Sequence, residues 1–312
     1  MNLAEKIQAL YAKYGSLKGV TIELHKQLIA ISVKNEAASA TIFLQGAQVA
    51  EYKRVGERPL LWLSEACDFK AGTSLRGGIP ICWPWFGDIT RNPASLTQQL
   101  DEKVVAQLPA HGLVREKDWE LDLVERLDSE TTQVVLSLAV SSSEQWPFPA
   151  LLQLTVTVGV ELDVKLKVMN TGSDAFNFTT AFHSYLNLSS VSACEVAGLE
   201  GCNYFDTLDE WQIRKSNLPI TIDREIDRVY SDVGSPTVLS DNKFNRSISV
   251  TPLNAPDLIV WNPWVDKAKR LSHFNDDAYT QMVCLETASV LDNVIELTPG
   301  MSVDLGVKLS IA

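Results

Sequence analysis

The sequence predicts an all-β fold, a large antiparallel sandwich, and three observations carry that prediction. First, Leu152, Leu154, Val156, Val158, Val160, Leu162, Val164, Leu166 and Val168 are apolar at every second position. Gln153, Thr155, Thr157, Glu161, Asp163, Lys165 and Lys167 stand between them. Strand side chains point alternately to opposite faces, so this stretch reads as two antiparallel strands broken at Gly159, one face buried and one in water. Second, short apolar runs recur along the chain between Gly, Pro, Asn and Asp clusters, with few helical stretches among them. Third, no Pro-rich or Ser-rich linker and no repeat period divides the 312 residues. One domain spanning 1–312 is therefore expected, with 1–18 as an N-terminal helical segment.

The elements follow in order. In the opening "MNLAEKIQALYAKYGSL", Leu3, Ile7, Leu10, Tyr11 and Tyr14 recur at helical spacing, which predicts a short amphipathic helix laid against the body. Strands are expected at "GVTIELH", "LIAISVK" and "ATIFLQG", then at "TQVVLSLAVS" and the 152–168 pair. Further strands are expected at "ITID", "SISVTP", "DLIVWNP", "QMVCLETA" and "SVDLGVKLSI". The stretch "SLRGGIPICWPWFG", residues 74–87, fits neither period. Pro80 and Pro84 lack an amide donor and Gly77-Gly78 favours unusual dihedrals, so this is a shaped loop. The polar run from 88 to 110 reads as an irregular surface excursion.

Composition narrows the function. A net charge of −12 with no run of Lys and Arg among aromatics argues against nucleic acid and against anionic membranes. No apolar run is long enough to span a bilayer, and the N-terminus does not read as a signal peptide, so a cytoplasmic protein is expected. Five scattered cysteines (67, 82, 194, 202 and 284), never spaced C-x-x-C, signal neither a disulfide framework nor a zinc site.

Of the four histidines, His25 and His273 lie in polar or alternating surroundings and read as surface or structural. His111 ("LPAHGLVR") and His183 ("TTAFHSYLNLS") sit among small or apolar neighbours, where an imidazole needs a partner. Glu286 lies inside the apolar "MVCLETASVL", so burial raises its pKa unless a cation pairs with it. A histidine with such a carboxylate is the minimum equipment for moving protons on and off oxygen at neutral pH. Arg76 precedes two glycines that would let a ligand approach closely, and Trp83, Trp85 and Phe86 offer faces on which a sugar could stack. Arg115 adds a second guanidinium; two such groups suit a phosphate or carboxylate, although structural salt bridges would also account for them. A non-catalytic carbohydrate-binding protein and a glycoside hydrolase or lyase on a similar sandwich are the rivals, the latter with Asp206 and Glu286 as its two carboxylates.

The ordered set "LRGGIPICWPWFG", "PAHGLVREKDW", "AFHSYLNL", "YFDTLDE", "DREIDRVY", "WNPW" and "VCLETA" resembles the aldose 1-epimerases. Within them it is similar to the glucose-6-phosphate 1-epimerase (hexose-6-phosphate mutarotase) branch, over roughly residues 20–310. The resemblance implies a galactose-mutarotase-like β-supersandwich that interconverts the α and β anomers of hexose 6-phosphates, acting without metal or cofactor, as a monomer. It also implies that His183 is the general acid and Glu286 the base, that Arg76 and Arg115 hold the phosphate, that Asp206 holds sugar hydroxyls and that His111 binds substrate. Some members place a glutamine immediately before that histidine, where this chain has Ala110.

Overall fold

The computed structural model describes residues 3–311. Two large antiparallel sheets dominate. The nine-stranded sheet runs, edge to edge, Ile220–Thr221, Cys194–Ala197, Thr237–Asp241, Arg246–Leu253, Ser302–Ile311, Leu162–Asn170, Ala150–Val158, Thr132–Val140 and Glu120–Arg126. The eight-stranded sheet runs Gln212–Lys215, Asn203–Asp206, Ile226–Tyr230, Asp257–Asn262, Met282–Ser289, Thr180–Phe182 and Ile81–Cys82, and Tyr185–Asn187 adds to the same edge of Met282–Ser289. A four-stranded meander from Val20 to Arg54 flanks them. This is the all-β sandwich that the alternation predicts.

The 152–168 pattern becomes the hairpin Ala150–Val158 and Leu162–Asn170. In both strands buried and half-exposed residues alternate without a break. The Gly159 amide donates to the Glu161 carbonyl at the turn (3.0 Å). The N-terminal helix spans Leu3–Tyr14, but its packing stripe is narrower than the spacing suggested. Ile7 and Leu10 are half-buried and Tyr14 is buried, with its hydroxyl donating to the Asp122 carbonyl (2.6 Å), whereas Leu3 and Tyr11 are exposed. Met1 and Asn2 lie outside the described residues.

The 88–110 excursion is more ordered than its polarity suggested. Short helical turns at Ile89–Arg91, Ala94–Thr97 and Glu102–Val105 tuck Ile89 and Leu96 into the main core. Asp88 and Asp101 cap the first and third by accepting amide N–H groups.

Parity along the eight-stranded sheet divides its residues between two environments. In the fully buried strand Met282–Ser289, Val283 and Leu285 face the main core, while Met282, Cys284 and Ala288 face a second cluster built around Trp62, Tyr185, Trp261 and Phe274. The same division puts Leu258 and Val260 on the core side and Ile259 and Trp261 on the other. Everything the site requires lies on this second face.

Candidate active site

Two strands and the link between Thr180–Phe182 and Tyr185–Asn187 carry acid and base groups to that face. Glu286 follows the parity of Cys284, His183 stands two residues after Ala181, and Asp227 stands two residues before Val229. The register Asp227↔Trp261 and Ile259↔Glu286 then sets the carboxylates across neighbouring strands. His183 Nδ1 lies 3.4 Å from Glu286 Oε1, with the two residues 9% and 1% exposed. A strand and a loop a hundred residues apart in sequence thus bring an imidazole and a carboxyl into contact.

The contact is electrically unusual. Burial pushes the His183 imidazole well below its ordinary range, and the His111 ring with the Arg115 and Arg76 guanidinia pushes the same way. Burial lifts the Glu286 carboxyl well above the usual carboxylate range, and the charge of Asp227 adds to it. Burial thus disfavours the charged form of both groups, the imidazolium of His183 and the carboxylate of Glu286. His183 Nδ1 and Glu286 Oε2 are buried without a hydrogen-bond partner among the described residues. Polar atoms left in this state at a cavity wall are poised for a polar ligand.

The cavity itself holds about 170 Å³ and is lined by His183 and Glu286 together with Arg76, His111, Asp227, Trp261, Lys267 and Phe86. A larger depression of about 760 Å³ lies against the four-stranded meander, but its walls, Lys34, Glu51 and Lys53 among them, bring no histidine to an acid. The smaller cavity is the chemically competent one. Tyr185 stacks on the His183 ring (centroids 4.6 Å apart, 7° between planes) and Trp261 meets it edge-on at 5.9 Å, which fixes the imidazole plane. The His111 ring stands 5.5 Å from that of His183 and is itself placed by its amide donating to the Gly87 carbonyl (2.8 Å).

The loop 74–87 behaves differently from its composition. Trp83 and Trp85 are fully buried, packed with Trp146 in the core, and of the loop's three aromatic residues Phe86 alone lines the cavity. Such rings bury about 150–250 Å² each, and that gain outweighs exposing them as a stacking wall. The glycines serve backbone packing as well: a Cβ on Gly78, at φ +65°, would stand 2.2 Å from the Val49 carbonyl oxygen. Arg76 does reach the cavity. Arg115 is half-buried behind it, donates to the Ala110 carbonyl (2.8 Å), and acts on both histidines through its charge.

Asp206 is a correction. It pairs in register with Arg228 and has the parity of Tyr204, on the core side of the sheet, whereas Phe205 has the parity of Val229. Its Oδ1 accepts the Leu208 amide (3.2 Å), so it caps the turn that follows and does not line the cavity. Asp227 is the aspartate at the wall. Burial raises its pKa, and Lys267 opposes this, with Nζ 3.5 Å from Asp227 Oδ2 and 3.4 Å from Glu225 Oε1. Both residues sit within motifs visible in the sequence, "DREIDRVY" and the run after "WNPW". The signal for Asp227 is an acid two positions before Val229 and so on the same face of the short strand IDRVY. His25 and His273 are structural, as their surroundings predicted: His25 packs edge-on against Phe43 and Phe69, and His273 Nδ1 lies 3.4 Å from the Ala66 carbonyl.

A buried His–Glu pair beneath a small cavity on an antiparallel sandwich defines an acid–base enzyme acting on a small ligand. The sequence profile of the aldose 1-epimerase family matches residues 30–310, and the chain belongs to that family; it is an epimerase, an isomerase of the mutarotase type. The chain is 33% identical over 263 residues to the "putative glucose-6-phosphate 1-epimerase" of Salmonella typhimurium, covering 82% of each, and 32% identical over 272 residues to the protein so described from Cenchrus ciliaris, covering 84% of this chain and 78% of that one. Among solved structures it superimposes on a "putative mutarotase" from Salmonella typhimurium with a TM-score of 0.84 at 28% identity, covering 95% of both chains. A galactose 1-epimerase from Lactobacillus acidophilus shares the fold, with a TM-score of 0.72 at 14% identity and coverage of 94% and 98%.

Proposed function

We propose that the enzyme interconverts the α and β anomers of hexose 6-phosphates, as a glucose-6-phosphate 1-epimerase. The observation that carries this reading is the convergence of His183 and Glu286, 3.4 Å apart, at the wall of a cavity that also presents the Arg76 guanidinium. A cyclic hemiacetal opens when its anomeric hydroxyl loses a proton while its ring oxygen gains one. Glu286 takes the hydroxyl proton and His183 supplies the other. For this step the imidazole must carry a proton and the carboxyl must be ionised, so the bound substrate has to offset the burial that disfavours both charges. The C1–O5 bond breaks, the C1 aldehyde turns about one C–C bond, and O5 closes on its opposite face as the two residues exchange roles. No electrons are transferred, so the chemistry needs no redox group.

Arg76 supports the phosphate reading, because an anionic substrate approaching a protein of net charge −12 needs local positive charge within a screening length of ~8 Å. Arg115 reinforces the positive potential from behind the wall. Asp227, in the place expected for Asp206, accepts hydrogen bonds from sugar hydroxyls, and His111 offers a neutral imidazole beside it.

Anomer exchange of freshly dissolved α-glucose 6-phosphate, followed by polarimetry or by NMR exchange spectroscopy, tests the assignment. Glu286→Gln is expected to lose ~10²- to 10⁴-fold in catalysed rate with the fold intact. Arg76→Ala is expected to weaken use of the phosphorylated sugar roughly ten- to hundredfold, by about 1.5–3 kcal/mol of charged hydrogen bonding, and to leave free glucose little changed. An active Glu286→Gln enzyme removes the mechanism. Equal losses on both sugars with Arg76→Ala remove the phosphate role.

A further inference from the structure

Cys284 stands two residues before Glu286, on the same face of Met282–Ser289, where the register sets it opposite Tyr185 on one side and Trp261 on the other. The proton-transfer chemistry makes no use of its thiol. One ligand atom each from His183, Cys284 and Glu286, an imidazole nitrogen, a sulfur and a carboxylate oxygen, lie within 4.8 Å of one another, and all three residues are buried. No other such group of three occurs among the described residues. Two of the three residues also carry an atom in need of a partner, because His183 Nδ1 and Glu286 Oε2 are buried without a hydrogen bond.

Imidazole, thiolate and carboxylate together are the donor set of Zn²⁺, which takes tetrahedral ligands at ~2.0–2.3 Å, so that the ligand atoms stand roughly 3.3–3.6 Å apart. The 3.4 Å between His183 Nδ1 and Glu286 Oε1 already has that spacing, and small rotations of the Cys284 and Glu286 side chains close the rest. We propose that His183, Cys284 and Glu286 form a zinc site in which the ion reversibly blocks the acid–base pair. Burial keeps the imidazole in the neutral form that ligates metals. Burial also holds the thiol and the carboxyl protonated, and the ion displaces both protons to solvent as the two bonds to zinc form. A dication, a thiolate, a carboxylate and a neutral imidazole sum to zero charge, which suits a site where isolated charges are disfavoured. Arg76 and Lys267 line the same cavity and oppose an entering cation, while Asp227 favours it. Three protein ligands leave a fourth position for water on the cavity side, so the ion acts as an inhibitor that occupies the place of substrate. Its binding stands on this geometry alone; its effect on turnover rests on the acid–base reading of the pair.

X-ray absorption at the zinc edge of the metal-freed protein, reloaded with one equivalent of Zn²⁺, tests the site with no sugar present. One sulfur at about 2.3 Å with nitrogen and oxygen at about 2.0–2.1 Å is expected. A shell without sulfur, or with several, overturns the site, and this reading needs no variant to fold. Zinc titrated into the anomer-exchange assay is expected to stop turnover. Loss of even an outer partner weakens metal binding 10–100-fold, so Cys284→Ala, measured against its own metal-free rate, should raise the inhibitory zinc concentration roughly a hundredfold. Cys202→Ala, which removes the thiol that is not buried, should leave it unchanged. Equal zinc sensitivity of a folded Cys284→Ala protein overturns the proposal. Zinc held through one sulfur with anomer exchange undiminished would instead overturn the catalytic assignment of His183 and Glu286 and leave the metal site standing.

Discussion

Burial together with the cations of Arg115, Arg76 and Lys267 pushes the His111 imidazole down to about 3, so it is neutral at pH 7. The unfolded chain takes up this proton near the ordinary imidazole value and the native chain does so only near 3. Between those values the unfolded state binds more protons, so the contribution is complete above about pH 6.5 and is lost as pH falls toward 3. Asparagine tolerates the left-handed φ of this position and does not titrate. His111→Asn is therefore expected to flatten the loss of stability between pH 7 and pH 4, by on the order of 1 kcal/mol per pH unit. Urea unfolding of both proteins at pH 7, 6, 5 and 4 measures this, and parallel curves contradict it. That His111 would need a partner was legible from its small, apolar neighbours. That Arg115 acts on it through its charge without lining the cavity was not, because sequence spacing says nothing about which way a loop side chain turns.

At the scale of elements, period-two alternation was a sufficient guide wherever a strand has one wet face, as in Ala150–Val158 and Leu162–Asn170. It failed where packing overrides the local pattern. The polar 88–110 run hides Ile89 and Leu96 among hydrophilic residues, and the 74–87 loop spends its tryptophans on the core. The turn that presents His111 depends on a single close approach: Gly112 bridges to Trp83, and a Cβ there, at φ +76°, would stand 2.0 Å from the Trp83 carbonyl oxygen. That atom is backbone and cannot step aside. Gly112→Ala is expected to cost about 3 kcal/mol or more and to displace His111 from the cavity, measurable by guanidinium unfolding. A cost below about 1 kcal/mol would mean that the two segments are free to part.

For the whole molecule, the order of strands matters more than their number. Ser302–Ile311 lies between Arg246–Leu253 and Leu162–Asn170, well inside the nine-stranded sheet, so the last segment of the chain completes the sheet that the middle of the chain begins. If the two large sheets form one folding unit, deleting residues 302–312 exposes two unpaired edges and unfolds both, whereas deleting residues 1–12 removes a helix with only half-buried contacts and keeps the fold. Circular dichroism and amide NMR dispersion of the two truncations check this, and a folded, active 1–301 chain would contradict it.

By itself the sequence determined the all-β class, most of the strands and the identity of His183, Glu286 and Arg76 as residues that could act together, because alternation and local chemistry are written along the chain. Only the tertiary structure decided that Asp227 and Lys267 stand at the cavity while Asp206 faces the core, and that Trp83 and Trp85 are buried. Those outcomes turn on which face a residue takes once strands far apart in sequence adopt a common register, and a shift of one position exchanges the faces.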